Sequence, residues 1–261
     1  MKSYIFKTLL YLLGAVSVVS CKRNDPIGDL GETNGQYVAM LNVSYDINKP
    51  VFGDTLTVTA STWQRDDKIS SLEMTETVVQ KFGVNLTLQK GTVLNTNDLE
   101  SSASTLVVTD TILNKVPWFS IKNDNDQLNA YFETVTNNYI VRAKYPFELN
   151  EGHYPNDNTL IENLKDVDFE VLKSILAYRI KADDYRLLYP DAPSTDFTSG
   201  GVYDLTQAGI NNLKSTLTKK MLSIVLASCA KSGTFHVDIV TNVYTATGAS
   251  RSVTRNFQTN L

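Results

Sequence analysis

The six residues Thr55-Leu56-Thr57-Val58-Thr59-Ala60 constrain the fold more than any other stretch of the chain. Leu56, Val58 and Ala60 fall on one side of an extended backbone and three threonines on the other, the period-2 signature of a half-buried strand. Thr and Val are β-branched and fit a pleated surface. Asn85-Leu86-Thr87-Leu88-Gln89 repeats the design, and Tyr139-Ile140-Val141-Arg142-Ala143-Lys144-Tyr145 alternates again with Arg142 and Lys144 on the wet side. Tyr37 to Ser44, Ile69 to Val79, Leu106 to Leu113 and Tyr131 to Val135 are further strand candidates. Turn-forming residues separate them at Asn48-Lys49-Pro50, Gly53-Asp54, Arg65-Asp66-Asp67 and Asn123-Asp124-Asn125-Asp126. Short strands at this spacing predict a Greek-key β-sandwich over residues 36–149.

From Asn156 the period changes. Thr159-Leu160-Ile161-Glu162 fits a capping box, and Leu160, Leu164, Val167, Val171 and Ile175 follow at helical spacing. Tyr185 to Gly201, rich in Pro, Asp, Ser and Gly, reads as a loop. A second helix is expected from Leu205, with Ile210, Leu213, Leu217, Met221 and Ile224 as its stripe and Ser232-Gly233 as its stop. Leu222 to Ala230 is apolar throughout and fits a buried helix or a strand, with helix preferred. The β period returns at Phe235, Val237 and Ile239, turns through Thr245 to Ser250 and continues into Val253 to Phe257. A lone hairpin is marginal in water, so 233–261 is expected to pair with the N-terminal sheet, which makes 150–232 a helical insertion, with two independent lobes as the alternative.

The start of the chain predicts its destination. Lys2 and Lys7 precede an apolar run from Leu9 to Val19 that is too short for a comfortable membrane helix, so residues 1–20 read as a secretory signal. Lys22 to Gly35 is polar, contains glycine and has no apolar period, which suits a tether over 21–35. The whole chain carries a formal charge of −4, and loss of Lys2 and Lys7 with the signal leaves −6. A mildly acidic chain with no basic run argues against nucleic acid and against electrostatic binding to anionic lipid. Beyond Cys21 there is one cysteine, Cys229, in the apolar setting Val225 to Ala230, read as a buried inert thiol.

Residue types that carry catalysis are sparse. The chain has two histidines, His153 in a turn and His236 on the polar side of a strand. Neither has a nucleophile or a set of ligands near it in sequence, and no GxSxG, HExxH, P-loop, GxGxxG or paired CxxC occurs. No cofactor, metal or catalytic residue is therefore expected. Carboxylates at Asp66-Asp67, Glu73, Glu76 and Asp183-Asp184 are the groups from which a two-carboxylate glycosidase would have to be built. Asn123 to Asp126 offers alternating oxygen ligands but lacks the glycine and distal glutamate of an EF-hand loop, so it reads as a turn. Trp63, at a strand–loop edge, and Trp118, after Pro117, are the candidate ligand-binding residues, since edge aromatics stack on sugars or anchor interfaces. Tyr178, Tyr185, Tyr189 and Tyr203 line a groove or pack among themselves.

Three resemblances extend this reading. Val18-Val19-Ser20-Cys21 resembles a bacterial lipobox, which implies lipidation of Cys21 and attachment to the membrane through its acyl chains. Gly53 to Ser61, with Asp66-Asp67-Lys68-Ile69 after it, resembles an immunoglobulin-like module of bacterial surface proteins, without the antibody-type cysteine pair. Asp54-Thr55-Leu56 and Asp110-Thr111-Ile112 resemble the O-glycosylation acceptor of Bacteroidota envelope proteins, which would place sugar on Thr55 and Thr111. Together they imply a non-catalytic lipoprotein of the outer membrane, at the cell surface or on the periplasmic face. It would act as a binding or assembly module with an envelope-protein or glycan partner. A glycan-binding accessory of a polysaccharide-uptake system is the alternative, and a carboxylate glycosidase the more distant one.

Overall fold

The computed structural model describes residues 39–63, 68–96, 105–122 and 127–261. The signal, Cys21, the tether, Asp66-Asp67 and Asn123 to Asp126 lie outside the described residues. The chain is mainly β, with antiparallel sheets and a run of helices before the last two strands. Strands β1 (Met40–Tyr45), β2 (Thr55–Trp63), β3 (Ile69–Leu88), β4 (Val93–Asn95), β5 (Val108–Lys122), β6 (Phe132–Glu133) and β7 (Asn138–Pro146) come first. Helices α1 (Leu160–Asn163), α2 (Asp166–Leu176), α3 (Ala182–Leu188), α4 (Gln207–Thr216) and α5 (Lys219–Val225) follow, then β8 (Leu226–Thr245) and β9 (Ser250–Asn260).

One sheet has the order β1-β2-β7-β6. The other runs β4-β3-β8-β9, with β5 also paired to β3. The alternation in β2 puts Leu56, Val58 and Ala60 inside at zero exposure, and Val141 and Ala143 of β7 lie beside them. Leu72, Met74, Val237, Ile239 and Val243 of the second sheet close the core from the other side. The apolar sides of the antiparallel sheets are buried in this shared cluster.

β3 and β8 are each 20 residues long and pair from Ile69↔Thr245 to Leu88↔Leu226. At ~3.3 Å per residue the ribbon extends roughly 65 Å, longer than one apolar cluster needs. Its far end carries a second apolar cluster, in which Phe82, Val84 and Leu86 meet Leu172 and Leu176 of α2, Leu213 of α4 and Leu222 of α5. The helices thus pack on an extension of the same sheet.

Several expectations change. Ile69 to Val79 and Asn85 to Gln89 are not two strands: β3 runs through Phe82 and Val84, and only Gln89 lies beyond its end. Leu226 to Ala230 is strand, because Leu226 and Cys229 fill places opposite Leu88 and Leu86 on the β3 edge. β8 therefore begins seven residues before the expected hairpin boundary at 233, within the stretch 150–232. Ile224, expected on the buried stripe, is 68% exposed at the end of α5. The Thr159–Glu162 capping box does not form. Asp157 accepts from both the amide and the hydroxyl of Thr159 (2.7 and 2.6 Å), and those bonds hold its carboxyl below the usual range. The helical stripe breaks between α1 and α2, which turns Val167 outward while Phe169 and Leu172 go in. Tyr185 to Leu188 belong to α3, not to a loop.

Candidate functional site

The outward face of the four-stranded sheet collects the hydroxyls that β2 alternation keeps out of the core. Thr55, Thr57, Thr59, Ser61 and Trp63 share this face. Asn42 and Ser44 of β1 stand opposite Ser61 and Thr59, and Ile140, Arg142 and Lys144 of β7 stand opposite Ser61, Thr59 and Thr57. The Lys144 ammonium donates to the Thr57 hydroxyl at 2.8 Å. Trp63 ends β2 half-buried, directly opposite the exposed Met40 of β1.

At the β6 edge the same face hollows into a shallow concavity of about 260 Å³. Tyr131, Phe132 and Glu133 form one wall, Ile140 and Arg142 the floor. A 3₁₀ turn over Gln127–Tyr131, anchored by fully buried Leu128, delivers Tyr131 to the rim. Phe132 is 40% exposed and its ring meets Tyr139 edge-on at 5.2 Å. Arg142 faces Glu133 at 3.4 Å with both side chains half in water, a pair worth little in stability and readily opened by a ligand. Hydroxyls, an arginine–carboxylate pair and partly exposed aromatics can hydrogen-bond and stack on a polar ligand.

Trp118 is not on this face. It lies within β5 with its ring 5.0 Å from Tyr145 and 6.2 Å from Phe119, its indole N–H buried and without an acceptor among the described residues. Tyr145 points inward and donates to the Glu76 carboxylate, and burial followed by that carboxylate pushes its phenol well above the ordinary range. The two tryptophans therefore occupy opposite sides of the first sheet. Thr55 and Thr111 are both exposed, at the start of β2 and on the edge strand β5.

The remaining polar candidates are taken up structurally. Glu76 lies on the inner side of β3, and the odd-numbered Glu73 lies on the other side. Asp183 pairs with Arg186 at 3.0 Å on the surface, whereas Asp184 is fully buried. Tyr185, also fully buried, donates to Asp196 and accepts from Asn212 (both 2.8 Å), and its ring leans on Tyr189. Tyr178 and Tyr203 meet edge-on near the surface. His236 bonds the Thr234 hydroxyl at 2.9 Å. Cys229 is buried, and burial raises its thiol to about 12, which leaves almost no thiolate at neutral pH.

A second polar constellation sits where the two apolar clusters meet. Gln80 of β3, Asp110 of β5 and Lys231 of β8 are 0%, 7% and 8% exposed. Lys231 Nζ donates to the Tyr154 carbonyl at 2.7 Å and to Gln80 Oε1 at 3.3 Å. Asp110 accepts the His153 amide at 2.7 Å and contacts its ring Nδ1 at 2.8 Å. The amide of Lys231 donates to Asn156 Oδ1 at 2.7 Å. These bonds hold the segment from β7 to α1 against the ribbon. Sequence reading passed over this cluster, although Gln80 carried a signal: it shares the parity of Met74, Val78 and Phe82, so a polar side chain stands in an apolar register.

No family model matches the chain, and no curated protein matches it in sequence. Among solved structures, the sporulation control protein Spo0M from Bacillus subtilis aligns over 85% of this chain and 49% of its own, at 9% identity and a TM-score of 0.27. The chain thus spans about half of that protein, and a likeness this distant carries no functional argument.

Proposed function

We propose that this protein is a non-catalytic, lipid-anchored module of a bacterial envelope that binds a ligand or partner on the outward face of its four-stranded sheet. The observation that carries the reading is Trp63, left partly exposed on a hydroxyl-rich face that also holds the Arg142–Glu133 concavity. The lipobox-like Val18 to Cys21 supports acyl attachment at the outer membrane, and the polar residues after it support a tether. No helix of the described residues is long and apolar enough to cross a membrane.

The strand order supports an immunoglobulin-like reading of the sandwich. In chain order, β1, β2, β6 and β7 take the places of strands A, B, D and E, giving the sheet A-B-E-D. β3, β8 and β9 take the places of C, F and G, and β4 and β5 lie where C′ pairs with C. The helices then form an insertion between E and F.

Glycan binding is the second reading, favoured by Trp63 beside the Thr and Ser row. Trp63→Ala is expected to cut retention of the full chain on a matched polysaccharide about 30-fold while leaving its unfolding midpoint in place. Trp118→Ala is expected to cost about 3 kcal/mol of stability through the cavity beside Tyr145. Unchanged retention by folded Trp63→Ala would remove that residue as the platform.

Protease treatment of intact cells, with lysed cells as the control, tests the placement. Cleavage on intact cells is the expected result for a surface-displayed binder. Protection that disappears on lysis would move the domain to the periplasm and favour an assembly role. A chain recovered in the soluble fraction without acyl groups on Cys21 would reject the anchor.

A further inference from the structure

We propose that the open edge of β9 is a docking strand that takes up an extended, acidic segment of a partner protein by β-strand addition. Each sheet ends in outer strands, and all but β9 are short or interrupted. β1, β4 and β6 have six, three and two residues. β5 is longer, but it carries Pro117, Lys115 in the left-handed region at φ 51° and three register shifts against β3. Proline, bulges and irregular backbone are how an edge is closed to stray strands. β9 has none of these: it pairs residue for residue with β8 from Tyr244↔Ser250 to Thr234↔Asn260, without a shift. It contains no proline, glycine or lysine, and its other edge has no strand partner among the described residues.

Charge selects the occupant. The chain is acidic overall, yet no Asp or Glu occurs from Ile239 to Leu261, while β9 holds Arg251 and Arg255. Both arginines are exposed, both share the strand parity of Phe257, and neither has a carboxylate in ion-pair reach among the described residues. Asp238, the nearest carboxylate in sequence, accepts from Asn256 at 2.6 Å on the other parity of the strand. Asp46, just past β1, accepts the Thr57 amide at 2.7 Å. Two copies paired edge to edge would put four arginines and no carboxylate into one ribbon, which disfavours a second copy as the occupant. An incoming strand with carboxylates four residues apart, as the arginines are, would meet both.

A place for one of its side chains lies beside the edge. Between β9 and β1 there is a cleft of about 340 Å³, bordered by Val43 and Tyr45 on one side and by Val253 and Arg255 on the other. The Tyr45 and Phe257 rings meet edge-on at 5.2 Å, and the Arg255 guanidinium stands 5.6 Å from the Phe257 ring. The valines and rings offer apolar contact to a side-chain stem, and the guanidinium offers paired donors to its carboxylate. Main-chain bonds along the open edge would supply affinity, and this cleft selectivity.

Selection of random peptides of β9 length against the immobilised full chain tests this, followed by residue-resolved amide exchange of the full chain with the enriched peptides. The expected peptides carry carboxylates four residues apart with no proline between them. At saturation they are expected to slow exchange of the outward amides of residues 250–260 at least about tenfold. The double variant Arg251→Glu with Arg255→Glu is expected to bind them at least about tenfold more weakly and to take up their lysine-substituted versions instead. Enrichment of no peptide, enrichment without carboxylates, or equal binding by the reversed variant would overturn the proposal. Protection of the same amides in the peptide-free chain would also overturn it: lost on dilution, it would mean a second copy, and kept at every dilution, an edge already covered by the chain itself.

Discussion

Asp184→Ala is expected to lower the stability of the protein by about 3–5 kcal/mol, read as a shift in the urea midpoint. The carboxylate is fully buried and accepts three bonds, from the amide of Lys90 (2.7 Å), the amide of Thr92 (2.8 Å) and the Thr92 hydroxyl (2.6 Å). Lys90 and Thr92 form the turn between β3 and β4, whereas Asp184 belongs to the first turn of α3. One side chain therefore fastens the helical layer to the end of the long ribbon. Alanine would leave those donors unpaired and open a cavity under Thr92. Asp183→Ala, next door but exposed and paired with Arg186 on the surface, is expected to stay within about 0.5 kcal/mol of the parent. Equal effects at the two positions would mean that the buried network contributes nothing.

Gly233→Ala is expected to be nearly as damaging, at about 3 kcal/mol or more. Gly233 pairs with Phe82 at the centre of the β3–β8 ribbon. A methyl on it would run into the Lys81 carbonyl oxygen and come within 2.7 Å of the Phe82 Cα, both backbone atoms that cannot swing aside. The two strands would have to part where the apolar clusters join. Gly248 is the contrasting case. Its φ of +90° places it in the left-handed region with nothing within 4 Å, so Gly248→Ala adds only backbone strain, about 1 kcal/mol. Matching denaturation midpoints for the two variants would refute the steric account.

What the sequence made legible is what alternation encodes. β2 and β7 appear at their expected places because each buries one side only, and period 2 is a local property. The continuity of β3 was hidden, since Gln80 puts a polar side chain in its apolar register and Gly83 weakens a strand, and pairing with β8 on one edge and with β5 and β4 on the other keeps it extended. Leu226 to Ala230 misled for the related reason that an apolar run has no period, and a partner edge far away in sequence decided its state. At the candidate site, Trp63 was found from its place at the end of an alternating run. The Arg142–Glu133 concavity was not, because β6 is only two residues long and its approach to β7 depends on the 3₁₀ turn before it. Asp183 and Asp184 are adjacent and identical in type, and only the direction of α3 makes one a surface charge and the other a buried tie.

The ribbon also dictates when this protein can finish folding. β3 lies in the first third of the described chain, and its partner β8, with β9 beyond it, closes the sequence. Loop closure over that span is slow, and pairings so distant in sequence are the last to be rewarded. A chain appearing amino end first would make β1, β2 and β7 available early and hold β3 with an unpaired edge until β8 arrives. That waiting edge is a template for wrong strands, so the step most exposed to misassembly is the late pairing of β8 with β3.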